Sequence, residues 1–441
     1  MENLTNYILG VLIIVFGLAL SIGLHEIGHL VPAKLFGIKV TQYMIGFGPR
    51  LWSTQRGDTE YGLKLLPFGG YIAMVGMYPP DPAVDDTTRK AGFFRRMVQD
   101  AREQSAEGIE AGDDGRTFYS KPVWQRIIVM LGGPTMNLLL AFVLFAIVLM
   151  GFGTAHASTT VASVSQCVIP AGSTQTECTS TDPLSPAAQA GFQAGDQIVS
   201  VNGQAVSSWP AFTQVVAASP NQALSVVVAR GGSEQTLQLT PQLVERYVTD
   251  SHGAYVESNG QREVESIGFA GLSPASELVR QSPAEVVNAV GSTVSGTASM
   301  IFQLPQKLVG IVQSTVAGTE RDPNGPISVV GIGAVAGEVF SLPGATLQAR
   351  VATMIGLLAS LNVALFVFNL IPLLPLDGGH IAAALWEGAR RQIAKWRKRP
   401  DPGPVDAAKL MPLTFVVFIM IVSMSSLLIW ADIVNPVSLF G

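Results

Sequence analysis

Four stretches of the chain, Tyr7–Leu30, Ile127–Phe152, Val351–Leu376 and Met411–Trp430, stay apolar over the roughly 20 residues that a helix needs to cross a bilayer. Such stretches leave few options. Lipid offers backbone N–H and C=O groups no partner, so a spanning segment must satisfy them itself, and long unbroken apolar runs do so as helices. Composition agrees: charged residues are 13% of the chain and hydrophobic ones 48%, with a mean hydropathy of +0.38. Soluble domains carry about 25% charge, which excludes an ordinary soluble enzyme. A disordered chain is excluded too, since it needs low hydrophobicity and high net charge. The formal charge of −5 gives no footing for nucleic acid. The first stretch does not read as a signal peptide, which wants a basic start, because the first cation is Lys34.

Orientation follows from the cations. Lys and Arg crowd the segment 31–123 and the short turn between the third and fourth stretches, where Arg390, Arg391, Lys395, Arg397, Lys398, Arg399 and Lys409 fall; they thin out across 153–350. Both basic loops are expected to face the cytoplasm, and both termini and the middle region to face outward. Cys167 and Cys178 lie in that outward region. An oxidising compartment permits a disulfide there, and two free thiols are the alternative.

The first stretch ends Gly23-Leu24-His25-Glu26-Ile27-Gly28-His29-Leu30. His25 and His29, four apart, share a helix face. This H-E-x-x-H spacing offers two neutral imidazoles to zinc and a glutamate as general base. In a soluble helix the pattern often marks nothing more than a solvated face. Two imidazoles and a carboxylate at the end of a membrane span are costly unless they have partners and a use. A catalytic zinc needs a third protein ligand and an open position. The third stretch supplies candidates where Pro372, Pro375 and Gly378-Gly379 break the helix: Asp377 and His380. Both stretches run inward and carry their polar groups near the same end, so these residues fall at similar depth. Spacing does not choose between them.

These residues resemble the site-2 protease family of zinc metalloproteases that cut within the membrane. Its H-E-x-x-H is His25 to His29, and its N-x-x-P-x-x-x-L-D-G-G element is Asn369 to Gly379. The resemblance implies Asp377 as third zinc ligand and Asn369 as oxyanion partner beside the metal. Gly46-Phe47-Gly48-Pro49 and Leu66-Pro67-Phe68-Gly69-Gly70-Tyr71 resemble the family's membrane re-entrant β-hairpin region, and Gly133-Pro134-Thr135-Met136-Asn137 its G-P-x-x-N element. Gly325-Pro326-Ile327-Ser328-Val329-Val330-Gly331 resembles a stretch found before the third span in the bacterial branch. Residues 42–76 alternate short apolar runs with Gly and Pro, which suits strands and turns. Their edge near Gly69 and Gly70 is expected to hold an unwound substrate by strand addition. Pro372 is expected to touch substrate. Asn137 either lines the substrate path or bonds between helices.

From Thr160 to Gln242 short apolar and polar residues alternate, as strands require. The run Ser185 to Gly203 resembles the S-P-A-x-x-A-G-x-x-x-G-D-x-I-x-x-V-N-G signature of PDZ domains in bacterial proteases. It implies a helix at Pro186–Ala190, a strand at Gln197–Val201 and a turn at Asn202-Gly203. Val206–Ala217 reads as a second helix, Leu224–Arg230 and Gln235–Leu239 as closing strands, and Ser165–Asp182 as an insertion. The groove of such a domain either takes up peptides or screens substrates by size; its ligand is unknown.

The expected architecture is a polytopic α-helical membrane protein with four transmembrane helices, a re-entrant β-hairpin region and one extracytoplasmic PDZ domain of α+β type. In order, these are a helix in 1–31, a cytoplasmic-side loop with hairpin and exposed insertion in 32–123, and a helix in 124–152. Then come the PDZ domain in 160–250, interfacial helices in 254–350, a helix in 351–380, a basic loop in 381–410 and a helix in 411–431. Within the exposed insertion, Phe93 to Val98 is expected to rest on lipid headgroups. The expected function is zinc-dependent cleavage of single-pass proteins, such as anti-sigma factors, in a bacterial inner membrane. Lipid is the other expected partner, and nucleic acid is none. A non-hydrolytic metal-binding scaffold is the alternative, against which the intact Glu26 speaks. A zinc transporter is disfavoured because Ile127–Phe152 and Met411–Trp430 contain no His, Asp or Glu.

Overall fold

The structure is a computed structural model that describes residues 2–79, 92–110, 112–113, 115–168, 178–179, 182–247, 257–258, 261–262, 264–319, 321–322, 325–342 and 344–437. It divides into two units, Met1–Phe152 with Gln281–Gly441, and Gly153–Arg280.

In the first unit α1 (Glu2–Leu35) leads into two long strands, β1 (Val40–Arg56) and β2 (Thr59–Met74). These pair antiparallel, and the pairing extends beyond a single two-stranded ladder. Tyr43, Met44 and Ile45 each pair twice, with Tyr61, Gly62 and Leu63 on one side and with Ile72, Tyr71 and Gly70 on the other. The strands thus fold back into four segments in the order 52–56, 60–63, 42–45, 70–74. Gly46, Gly48 and Gly69 have φ of +92°, +84° and +113°, a backbone that side chains resist, and they make the bends. Gly70 to Met74 is left as an edge.

The segment read as an exposed insertion is in part built into this unit. α2 (Phe93–Ala106) sets Phe93 edge to face with Phe415, and its Arg102 pairs with Asp406. Gly76 N donates to Ser105 O, Phe118 N to Val75 O, and Lys39 pairs with Asp113 at 2.8 Å. Contacts this far apart in sequence leave no local periodicity to read. Residues 80–91 of that segment lie outside the described residues.

α3 (Val123–Ala146) ends in a π-helical turn, Ile147–Phe152. It crosses α1 with backbones touching, because Gly28 meets Gly132 with no side chain between them, the small-residue contact that membrane helices favour.

Among the described residues four helices are long and apolar enough to cross a membrane: Leu4–Leu35, Val123–Phe152, Leu347–Asn369 and Ala407–Val434. Their exposed Leu12, Phe16, Val143 and Phe418 suit lipid rather than water.

The second unit, Gly153–Arg280, holds β3 (Thr154–Val164), α4 (Pro186–Gln189), β4 (Gln197–Val201), β5 (Gln204–Ala205), α5 (Trp209–Ala217), β6 (Leu224–Arg230) and β7 (Ser233–Leu239). After them come β8 (Gln242–Tyr247), β9 (Glu257–Ser258), β10 (Gln261–Arg262), β11 (Val264–Phe269) and β12 (Leu272–Val279). The main sheet runs β12-β3-β4-β6-β7, with β5 on β4. Val161, Phe192, Ile198, Phe212, Val226, Val228 and Leu239 form its core. Asn202 and Gly203 turn with φ of 49° and 80°. Asp196 is buried against Arg230 (2.6 Å), whose guanidinium holds the carboxyl below its usual range. Cys167 and Cys178 form a disulfide. The unit continues past the expected end near residue 250, because β12 pairs with β3 from Leu272↔Val164 to Val279↔Thr154.

Back in the first unit, α6 (Pro283–Ala317) is one long helix that runs through Pro305. Gln281 N, just before it, donates to Leu149 O at the end of α3, while its Ile311 packs on Leu428 and Ala431 near the end of the last helix. α7 (Val329–Ser341) is capped by Ser328 Oγ, which accepts from Val330 N and Gly331 N. Asp432 accepts from Ser328 N and from Arg321, both at 2.6 Å, so the Gly325–Gly331 motif is a cap and a buried clamp. α8 (Leu347–Asn369) is tied to α1 by Asn362 Nδ2 donating to Ser21 Oγ. It stops at Asn369, just before the Pro372–Pro375 break read from the sequence and short of the 351–380 segment assigned to this span. Seven irregular residues follow before α9 (Asp377–Trp396), and α10 (Met411–Val434) ends the bundle.

Candidate metal centre

α1 presents His25 and His29 on one face, and the break before α9 turns Asp377 toward them. His25 Nε2 and His29 Nε2 are 3.1 Å apart, and each lies 3.3 Å from Asp377 Oδ2. Among the described residues these three are the group of His, Cys, Asp and Glu able to hold a metal. Ligand bonds of about 2.0–2.1 Å at tetrahedral angles set donor atoms about 3.3 Å apart, which is the spacing here. Asp377 Oδ2 is buried and accepts no hydrogen bond; a cation is the partner it lacks. The floor of the site is Gly133 of α3, whose missing side chain leaves the space in front of both Nε2 atoms open. The donor set and its spacing fit zinc.

The far sides of both imidazoles are held. His29 Nδ1 donates to Val129 O at 2.7 Å, which leaves Nε2 its lone pair. The Asn137 side-chain amide lies 3.0 Å from His25 Nδ1 and is fully buried. A metal-binding Nε2 requires the proton on Nδ1, so the Asn137 amide must accept it through oxygen. The two ends of an amide are assigned from such partners, and Asn137 Oδ1 has no other. Of the two roles its sequence offered, Asn137 takes the interhelical bond: it is buried behind His25 and ties α3 to that imidazole of α1. Partners of this kind fix the tautomer and are worth about 10–100-fold in metal affinity. Asn137→Leu is therefore expected to weaken zinc binding by that factor in chelator competition. Asn137→Asp, which still accepts from Nδ1–H, is expected to keep it.

Glu26 is not a donor to the centre. Its Cγ lies beside Gly70, and the Ile72 amide is its backbone hydrogen-bond partner, so the sheet edge and the carboxylate share one wall. Gly69 lies under the Phe47 ring. Asn369 is the last residue of α8, partly buried and outside the trio. His380 faces Tyr78, ring centroids 6.4 Å apart, and does not join the donors. Pro372 is exposed and lines a cavity with Trp386 and Leu413 that includes no residue of the centre. Val129 was not singled out from the sequence, and Gly133 only as the start of a motif, because what they do depends on the α1–α3 crossing.

Two imidazoles and a carboxylate on membrane-type helices, with a non-ligating glutamate and a strand edge alongside, define a metallohydrolase built into a helical bundle. The sequence model of Peptidase family M50 matches residues 13–400, and the chain belongs to that family. The chain is 32% identical to the zinc metalloprotease Rip1 of Mycobacterium tuberculosis (strain ATCC 25618 / H37Rv), covering 98% of this chain and 99% of that one. It is 28% identical to the metalloprotease MmpA of Caulobacter vibrioides, over 86% of each, and 26% identical to the probable protease eep of Enterococcus faecalis, over 96% and 97%. The chain is a multi-pass membrane metalloprotease.

Proposed function

We propose that this chain is a zinc-dependent intramembrane endopeptidase acting on single-pass membrane proteins, pre-trimmed anti-sigma factors among them. The observation that carries the reading is the triad of donors at tetrahedral spacing over the Gly133 floor, with Glu26 and the Gly70–Met74 edge beside it. His25, His29 and Asp377 hold the zinc. The chemistry zinc supplies when bound is polarisation of the scissile carbonyl and acidification of water. Glu26 takes the proton of the attacking water and returns it to the leaving amine. The edge at Gly69 and Gly70 adds the unwound substrate as a further strand, which exposes its amides. Asn369 donates its side-chain amide to the oxyanion.

The cation distribution supports an inner-membrane arrangement with this centre near the cytoplasmic face and Gly153–Arg280 outside. The second unit is read as a PDZ domain. Its α4, β4, Asn202-Gly203 turn and α5 fall in the order of that signature, and a cavity of about 440 Å³ lies between α5 and β11. The first sheet is read as re-entrant.

The test uses the full chain in detergent and a single-pass reporter lacking its outward domain, with products mapped by mass spectrometry. Cleavage inside the reporter's span is expected, lost on metal removal and regained with zinc. Zinc binding without cleavage across a panel of reporter spans supports the scaffold reading instead, and cleavage that survives metal removal overturns the mechanism.

A further inference from the structure

Beyond its first turn, α9 plays no part in the proteolysis proposed for this chain. One face of this helix is fixed. Glu387 is fully buried, pairs with Arg126 of α3 and with Arg391 at 3.0 Å, and accepts from Val405 N at 2.9 Å. Gly388 packs on Val123, the first residue of α3. These contacts set the middle of α9 level with the start of the candidate span Val123–Phe152.

The other face is unpartnered. Leu385, Trp386, Ile393 and Trp396 are 57, 59, 42 and 74% exposed, and their spacing gathers them into one stripe. Around its end Lys395, Arg397, Lys398 and Arg399 are exposed, and no ion pair holds any of them among the described residues. Beside Trp386 lies a cavity of about 350 Å³ walled by Leu373, Ala383, Leu410 and Leu413, with Lys409 also in its lining.

Facing water, two tryptophans and two aliphatic side chains in a row are unfavourable; at the headgroup level of a bilayer they are satisfied. A soluble acidic protein would match the cations but has no claim on an apolar cavity at the start of a span. An anionic phospholipid matches both. We propose that α9 and the adjoining cavity bind an anionic phospholipid of the leaflet at this end of the bundle. Its phosphate sits among Lys395, Arg397, Lys398 and Arg399, and an acyl chain lies against Trp386 in the cavity. Trp386 and Lys395 are about 13 Å apart along the helix at 1.5 Å per residue, a span one phospholipid covers from phosphate into chain.

Lipid binding is read whether or not the protein cleaves anything, so this inference fails or stands apart from the proteolytic one. The full chain, purified in detergent, is offered phosphatidylglycerol and phosphatidylcholine of identical chains in equal amounts, and retained lipid is counted by native mass spectrometry. A preference of roughly tenfold for the anionic lipid is expected from cations at a membrane surface. The preference should vanish in the variant K395Q/R397Q/K398Q/R399Q, whose changes are all on exposed side chains. Ala383→Phe, which fills the cavity, should lower retention of both lipids. Equal retention of the two lipids by wild type overturns the proposal and leaves the stripe to a protein partner. A preference undiminished in the four-fold variant also overturns it, by moving the lipid to another basic segment. Retention unaffected by Ala383→Phe overturns the cavity's part.

Discussion

Replacing Glu26 by glutamine is expected to slow cleavage of a single-pass reporter by about 10²- to 10⁴-fold, the usual worth of a positioned general base, with zinc still bound. The two effects separate because Glu26 is next to a ligand without being one. His25, His29 and Asp377 make the triad without it. Glutamine keeps the length of the side chain and an oxygen for the Ile72 amide, so the packing on Gly70 persists. The proton acceptor alone is lost. Zinc content by atomic absorption and initial rates on the same preparation decide the matter. Zinc lost together with activity would make Glu26 a structural support of the site, and an unchanged rate would put the base elsewhere.

The residues that carry charge were legible in the sequence for a thermodynamic reason. A helix inside lipid tolerates His and Glu only where they have work to do, and a four-residue step fixes two of them on one face whatever the rest of the fold does. Asp377 was harder. Spacing left it level with His380, and in the sequence only the family resemblance chose it; the break after Asn369 starts a new helix at Asp377 and turns His380 toward Tyr78. Asn137 was visible as an unusual span residue, yet its direction came only with the crossing of α1 and α3.

Strands were legible where the pattern was local. β4 and β6 fall on their expected residues. β12 did not show, because its partner β3 lies over 100 residues earlier, and an edge strand containing Pro274 has a weak alternation of its own. The doubled pairing of β1 and β2 was hidden for a related reason. Gly46 and Gly69 mark bends in sequence, but which segments the bends bring together is set by packing on α1, where Tyr43 donates to Gly23 O.

Gly133 is the position where a single added methyl group should do most to the metal. A Cβ there would fall inside the van der Waals surface of His29 Nε2 and 2.7 Å from His25 Nε2. Neither ring can swing aside, since His29 is held by Val129 O and His25 by Asn137. Nor can the helices part cheaply, because Gly28 and Gly132 already bring their backbones into contact one residue away. Gly133→Ala is therefore expected to cost more zinc affinity than loss of an orienting partner does, at least about 100-fold, while helix content is kept. Gly356→Ala in α8, where an added Cβ meets nothing within 4 Å, is the control expected to bind zinc as wild type does. Chelator competition on both variants, with circular dichroism for the helices, makes the comparison. Wild-type zinc affinity in Gly133→Ala would mean that the metal does not sit in front of the two Nε2 atoms, and the donor triad would have to be redrawn.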